Sequence, residues 1–261
     1  MELIIKETYD QLSLKAAEIV ASVINNFVAT PEHPKCTLGL PTGSTPLGMY
    51  KALIKMNQQG KVSFKNVITF NMDEYVGLDV NHPESYHSFM FNNFFNHIDI
   101  DKSNVHILNG NAPDLEKECN DYEKAIKEVG GIDLFVGGIG NDGHIAFNEP
   151  GSSLNSRTRC VKLTHDTIIA NSRFFDFDLS KVPVRAVTVG IGTVTDAQRV
   201  MILVNGHAKA RALHHAVEGG VSQMWPVTAL QLHNHSTIIA SEDACDELKV
   251  GTFRYYLDLN S

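Results

Sequence analysis

Ile132-Asp133-Leu134-Phe135-Val136 runs straight into Gly137-Gly138-Ile139-Gly140-Asn141-Asp142-Gly143-His144. A short apolar, β-rich run that opens onto glycines reads as a buried strand ending in a turn where backbone can approach a ligand closely. Gly138, Gly140 and Gly143 have the GxGxxG spacing of a dinucleotide fingerprint, yet two features exclude that reading. The fingerprint opens a helix, whereas Pro150 and Gly151 follow almost at once. The acidic residue due roughly 20 residues further on is also missing from Ser156-Arg157-Thr158-Arg159-Cys160. What remains is a strand end carrying His144 with Asp142 before it and Glu149 after it. A histidine flanked by carboxylates can be held in one tautomer and can exchange protons near neutral pH.

The same pattern recurs on both sides of this stretch. Residues 8–28 place Ala16, Val20, Val23, Ile24 and Phe27 at helical spacing. Strands are expected at Thr37–Leu40, Val67–Phe70, Val105–Leu108, Ile132–Val136, Ala186–Val189, Val200–Val204 and Thr237–Ala240. Helices are expected at Pro46–Asn57, Ser85–Phe95, Pro113–Val129 and about 164–173 and 206–217. Short apolar strands alternating with helices predict an α/β fold with a mostly parallel central sheet and helices on both faces. No linker or repeat divides the chain, so residues 1–261 read as one domain.

Composition narrows the function. The 261 residues are 43% hydrophobic and 20% charged, enough for a substantial core and unlike a disordered chain. The net charge of −8 leaves no global basic footprint, so no nucleic-acid partner is expected, and an anionic ligand would need a local basic pocket. No apolar run approaches the roughly 20 residues of a membrane span, and no leader pattern is visible at Met1–Asp10, so no membrane partner and a cytoplasmic location are expected. Cys36, Cys119, Cys160 and Cys245 are widely spaced, without a CxxC pair, and read as reduced thiols. His233 and His235 lack a partner at zinc spacing, so no metal site is expected.

In an open α/β sheet ligands bind beyond the carboxyl ends of the strands. Three further strand ends carry chemistry. After Leu40 comes Pro41-Thr42-Gly43-Ser44-Thr45-Pro46, a glycine- and hydroxyl-bearing turn. Pro46 suits the first helical position and Thr45 or Ser44 the N-cap, so free amides face an anion there. After Phe70 comes Asn71-Met72-Asp73-Glu74-Tyr75. Adjacent side chains diverge, so Asp73 can face the crevice as a general base while Glu74 turns away. After Val204 comes Asn205-Gly206-His207-Ala208-Lys209. Lys209 in the first turn of a helix opposes the macrodipole, and a bound phosphate would reconcile the two. Arg173 ends another helical stretch and could share that pocket. Together these features suggest proton-transfer chemistry on a phosphorylated metabolite.

The chain resembles the glucosamine-6-phosphate deaminase family. The resemblance lies in Leu38–Pro46, Thr69–Gly77, His82–Tyr86, Gly140–Pro150, Ser156–Arg159 and Glu247–Val250, and spans nearly the whole chain. It implies a Rossmann-like fold with a lid segment and conversion of glucosamine 6-phosphate to fructose 6-phosphate and ammonia, with no cofactor and no metal. It implies that His144 assists ring opening, that Asp142 and Glu149 orient it, and that Asp73 moves the C2 proton to C1. Gly43, Ser44, Thr45, Arg173 and Lys209 would hold the phosphate.

Larger members of that family include hexamers activated by N-acetylglucosamine 6-phosphate between subunits. By resemblance a homo-oligomer, with Ser153, Arg159 and Tyr255 as effector ligands, is expected. The sequence departs from the pattern at Val161, where the family has lysine. Lys162 comes one residue later, and in an extended segment that shift reverses the face. Two other readings stay open: a related sugar-phosphate enzyme such as a 6-phosphogluconolactonase, and a non-catalytic sugar-phosphate sensor.

Overall fold

The computed structural model describes residues 1–259. An edge strand, β1 (Glu2–Lys6), leads into α1 (Tyr9–Asn25). Thr8 starts α1 with a reciprocal capping box: Gln11 N donates to Thr8 Oγ1, and Thr8 N donates to Gln11 Oε1. Then follow β2 (Cys36–Leu40), α2 (Leu47–Gln58), β3 (Val67–Asn71), β4 (Asp73–Tyr75), α3 (Tyr86–Asn93), β5 (Val105–His106) and α4 (Leu115–Glu128). The second half runs β6 (Leu134–Gly138), β7 (Arg159–Lys162), α5 (His165–Ser172), β8 (Arg185–Thr188), α6 (Ile191–Thr195), β9 (Arg199–Val204), α7 (Ala210–Glu218), β10 (Ser236–Ser241) and α8 (Val250–Leu259).

Seven strands form one parallel sheet in the order β1-β10-β9-β6-β2-β3-β5. Both faces are buried, and the strand period of two assigns residues to them. Along β9, Val200, Ile202 and Val204 join a core containing Phe70, Phe135 and Leu213, while Met201 and Leu203 join the opposite core with Leu12, Leu38 and Leu53. From β2 the chain steps outward to β3 and β5. It then returns to β6 on the other side of β2 and steps outward again to β9 and β10. The direction reverses between β2 and β6, and a crevice opens there beyond their carboxyl ends.

Two sequence expectations are corrected. No strand was expected at β1, which pairs with β10 from Glu2 opposite Thr237 onward. The Ala186–Val189 run is not in the parallel sheet. It corresponds to β8, the middle of a three-stranded antiparallel sheet with β4 and β7. An apolar run reports burial and not which sheet it joins. This second sheet lies with a third core cluster, in which Tyr75, Phe147 and Ala186 meet Leu163, Phe175 and Val182 from the segment around α5.

The second sheet is tied to the rest by a close backbone crossing. Gly190 caps α6, and a Cβ there would lie 2.0 Å from the carbonyl oxygen of Ser156. Ser156 also accepts from Gly192 N at 2.9 Å and, through its hydroxyl, from Ile191 N at 3.0 Å. Gly190→Ala must push backbone apart, so we expect a loss of about 3 kcal/mol and a thermal midpoint roughly 6–12 °C lower. Calorimetry checks this, and an unchanged midpoint would show that the crossing yields freely.

Candidate active site

The turns that follow β2, β3, β6 and β9 converge with α5 on one cavity of ≈ 600 Å³. Gly43, Ser44, Thr45, Asp73, Asp142, His144, Arg173 and Lys209 all line it. Glu149 does not.

The turn after β2 is anchored from behind. Tyr9, in the first turn of α1, places its hydroxyl 2.9 Å from Thr45 O and 3.1 Å from Ser44 O, and accepts from Gly48 N at 2.8 Å. Gly43 has φ +102°, a backbone conformation that favours glycine. The expected capping is corrected: Pro46 itself holds the N-cap position of α2, and no side chain bonds there. The Ser44 and Thr45 hydroxyls are therefore not committed to capping α2. Lys209 is corrected as well. It lies in a 3-10 turn, His207–Lys209, and is the N-cap of α7 instead of a residue within its first turn. Burial lowers the pKa of Lys209, the neighbouring Arg173 lowers it further, and Asp142 opposes both. Arg173 lies at the end of α5, its guanidinium 4.7 Å from the Phe174 ring. Two cations facing one cavity suit an anionic ligand, whose charge would offset their repulsion.

Asp73 begins β4 and is 7% exposed. Burial, with the adjacent Glu74 adding to it, pushes its carboxyl up to about 8. The two side chains diverge as the strand period requires. Asp73 lines the cavity, and Glu74 turns to the start of α3, where its oxygens accept from Tyr75 N, Tyr86 N and His87 N.

His144 Nδ1 lies 2.7 Å from Asp142 Oδ1. Burial favours a neutral Asp142, but His144 and the local amides outweigh it and hold the carboxyl below its usual range. The turn is tight: Gly140 N donates to His144 O at 2.9 Å, and a Cβ on Gly140 would meet the His144 ring at 2.2 Å. Ala146, two residues on, has φ 52°, an uncommon conformation for a residue with a side chain. Glu149 departs from the expectation that it flanks His144. Its carboxylate instead accepts from Thr164 N and Oγ1 and from Thr167 Oγ1. It ties the loop after β6 to the start of α5. Sequence proximity suggested a flanking carboxylate, but the turn at Asn148–Gly151 aims it elsewhere.

Of the expected effector residues, Ser153 and Tyr255 are exposed. Arg159 spends one guanidinium nitrogen on Asn148 Oδ1 at 2.7 Å within its own chain. Among the described contacts none joins these three residues. Val161 packs on the third core cluster and Lys162 is exposed, so the one-residue offset does place them on opposite faces. His233 uses Nε2 on Ala197 O at 2.8 Å and Nδ1 to accept His235 N at 3.0 Å, so both its nitrogens serve the fold.

Sequence reasoning missed Tyr86 and Asn171 as cavity residues. Asn171 Nδ2 donates to Tyr75 Oη at 2.9 Å, linking α5 to β4. Tyr86 stacks parallel to Phe147, with ring planes 5° apart. A lone aromatic in the polar run His82–Tyr86 was the only signal available.

Residues 7–239 match the family described as glucosamine-6-phosphate isomerases/6-phosphogluconolactonase. A glucosamine-6-phosphate deaminase of Phocaeicola vulgatus is 68% identical over 99% of this chain and 98% of its own length. The solved structure of a monomeric glucosamine-6-phosphate deaminase is 43% identical at a TM-score of 0.88, over 94% of this chain and 98% of that one. A 6-phosphogluconolactonase from Thermotoga maritima shares the fold at a TM-score of 0.71 but is only 20% identical, over 92% of this chain and 99% of its own.

The raised Asp73 carboxyl has a consequence for stability. An unfolded chain releases this proton near the ordinary value of about 4, whereas the folded protein holds it until about pH 8. The group therefore erodes stability as pH rises across that window. Asp73→Asn removes the effect, so its thermal midpoint should exceed the parent's at about pH 8.5, with the gain fading toward pH 5. A pH-independent difference in calorimetry would contradict the buried, basic carboxyl.

Proposed function

The chain belongs to the family of glucosamine-6-phosphate isomerases and 6-phosphogluconolactonases, and we propose how its crevice isomerises and deaminates glucosamine 6-phosphate to fructose 6-phosphate and ammonia. The observation that carries the reading is a buried, basic carboxyl, Asp73, sharing one cavity with two cations and an aspartate–histidine pair. Lactone hydrolysis needs an activated water and no base at C2. Aldose–ketose isomerisation needs that base.

The phosphate sits on the Gly43–Thr45 turn between Arg173 and Lys209, and its charge relieves the repulsion between them. This fixes the sugar with C2 toward Asp73. His144, held by ionised Asp142, moves a proton from the anomeric hydroxyl to the ring oxygen and opens the pyranose. The Asp73 carboxylate then takes the C2 proton while O1 gains one, which gives an enediol-like enolamine, and returns its proton to C1 as the nitrogen releases one. The carbon–nitrogen double bond formed at C2 is hydrolysed by water, which leaves the ketose and ammonia. Glu149 acts at one remove, keeping α5 docked on the His144 loop. A base near pH 8 is strong enough to take a carbon acid's proton, and the ionised fraction grows as pH rises through that value.

A role in amino-sugar catabolism follows from the reaction. Self-association is read from the exposed Val250, Tyr255, Leu257 and Leu259 of α8, and a cytoplasmic setting from four cysteines that are all unpaired. No described helix is long and apolar enough to cross a membrane.

Asp73→Asn should lower release of both products by about 10³-fold or more, with a chelator having no effect on the parent enzyme. A variant that keeps its activity removes the base assignment, and one that loses deamination but hydrolyses a phosphogluconolactone at the parental rate reveals a lactonase. With Val161 where the effector lysine stands in the family, the substrate curve should be hyperbolic and indifferent to N-acetylglucosamine 6-phosphate. A sigmoidal curve that this effector straightens would show a working regulatory site.

A further inference from the structure

Glu74 stands next to the base and no step above uses it. It is 5% exposed, and its partners are three backbone amides: Tyr75 N at 2.8 Å and Tyr86 N at 3.0 Å on Oε1, and His87 N at 2.9 Å on Oε2. Tyr86 and His87 open α3, whose cap residue Ser85 accepts from Ser88 N at 3.0 Å and donates its hydroxyl to Val80 O at 2.7 Å. Two orphan amides of a helix start are thus satisfied by a carboxylate from another part of the chain, where the helix dipole favours negative charge. Burial raises the Glu74 carboxyl above its ordinary value, and the three amides limit that rise without cancelling it. Since all three partners are donors, the anion is the form they hold.

Tyr86, anchored through its own amide to Glu74, lines the cavity beside Asp73, with its ring against Tyr75 at 4.9 Å and parallel to Phe147. The other groups facing the base are Tyr122 of α4, Asp142 and His144 after β6, Lys209 before α7 and Arg173 after α5. Burial keeps the phenols of Tyr86 and Tyr122 neutral. Substrate phosphate would engage Lys209 and Arg173, and Asp142 is taken up with His144 Nδ1 at 2.7 Å. Glu74, whose three partners are all amide donors, is the carboxyl next to Asp73 along β4.

We propose that Glu74 is a positioning residue for the Asp73 base: docked on the start of α3 by three amides, it places a negative charge on the neighbouring position of β4 and holds Tyr86 at the cavity wall. The proposal rests on the assignment of Asp73 as the base. It makes the strength of that base a property of the Asp73–Glu74 pair and not of burial alone.

The test is Glu74→Gln, which keeps the shape and removes the charge. The acidic limb of log kcat/KM for glucosamine 6-phosphate should move about one pH unit downward, and kcat on the plateau should fall about threefold as the base weakens. The carboxyl ¹³C resonance of Asp73, assigned by its loss in Asp73→Asn, should show the same downward shift without any substrate. A titration that does not move overturns the proposal, even if activity drops. Glu74→Asp keeps the charge while drawing it back from α3, so its Asp73 titration should stay with the parent's. If that titration moves, the proposal also fails, and this variant carries the test should the glutamine variant not fold. If the resonance shifts as expected but the parent protein does not turn over glucosamine 6-phosphate, the positioning role is upheld and the functional reading is what falls.

Discussion

The crevice depends on how β2 and β6 lie side by side where the strand order reverses. Gly39 of β2 stands opposite Phe135 of β6, and the Phe135 ring lies so close that a Cβ on Gly39 would come within 2.2 Å of it. With no side chain on Gly39, a full-sized aromatic can fill the core beneath the switch point while the two strands keep ordinary sheet spacing. The loops that leave these strands, the hydroxyl-rich turn and the glycine turn of His144, then emerge as neighbours. The positions of the Gly43–Thr45 turn and of the Asp142–His144 pair on one cavity follow from that adjacency.

Charge arrangement adds a second constraint. The protein carries a net charge of −8, yet one cavity is lined by Lys209 and Arg173 together with the buried Asp73. Both are costly in themselves: burial and then the neighbouring Arg173 depress Lys209, and burial resists ionisation of Asp73. A ligand with a dianionic end and a weakly acidic carbon relieves the first and uses the second. The site is thus destabilised in the sense that functional sites often are, with local rules broken where a ligand restores them.

Much of this was legible in the sequence because the site is built at strand ends. Glycines, hydroxyls, Asp73 and His144 punctuate apolar runs, and a parallel sheet gathers such punctuation on one edge. What stayed hidden needed contacts between distant segments. Glu149 is five residues from His144, and nothing local says that Thr164 and Thr167 will claim it. β8 looks like any buried strand, and only its antiparallel partners β4 and β7 place it in a second sheet. β1 is short and lies at the sheet edge, where period-two patterning over five residues says little. Tyr86 carries one aromatic ring in a polar run, and its place in the cavity is fixed by Glu74, a dozen residues earlier.

The pairing of β1 with β10 joins Glu2 to Thr237, nearly the full length of the chain. Tyr9, just after β1, anchors the turn after β2 at the Ser44 and Thr45 carbonyls. A ribosome therefore releases the first elements of this protein long before the strand that completes their edge exists. Closing so long a loop is slow, because its entropy must be lost before the contact gives anything back. The nascent chain can assemble β2, β3 and β6 early, but the strand before Tyr9 finds its place only once β10 has been made. A chain cut short before β10 would carry the cavity-lining groups from Gly43 to Lys209 while the strand that leads into Tyr9 lacked its partner.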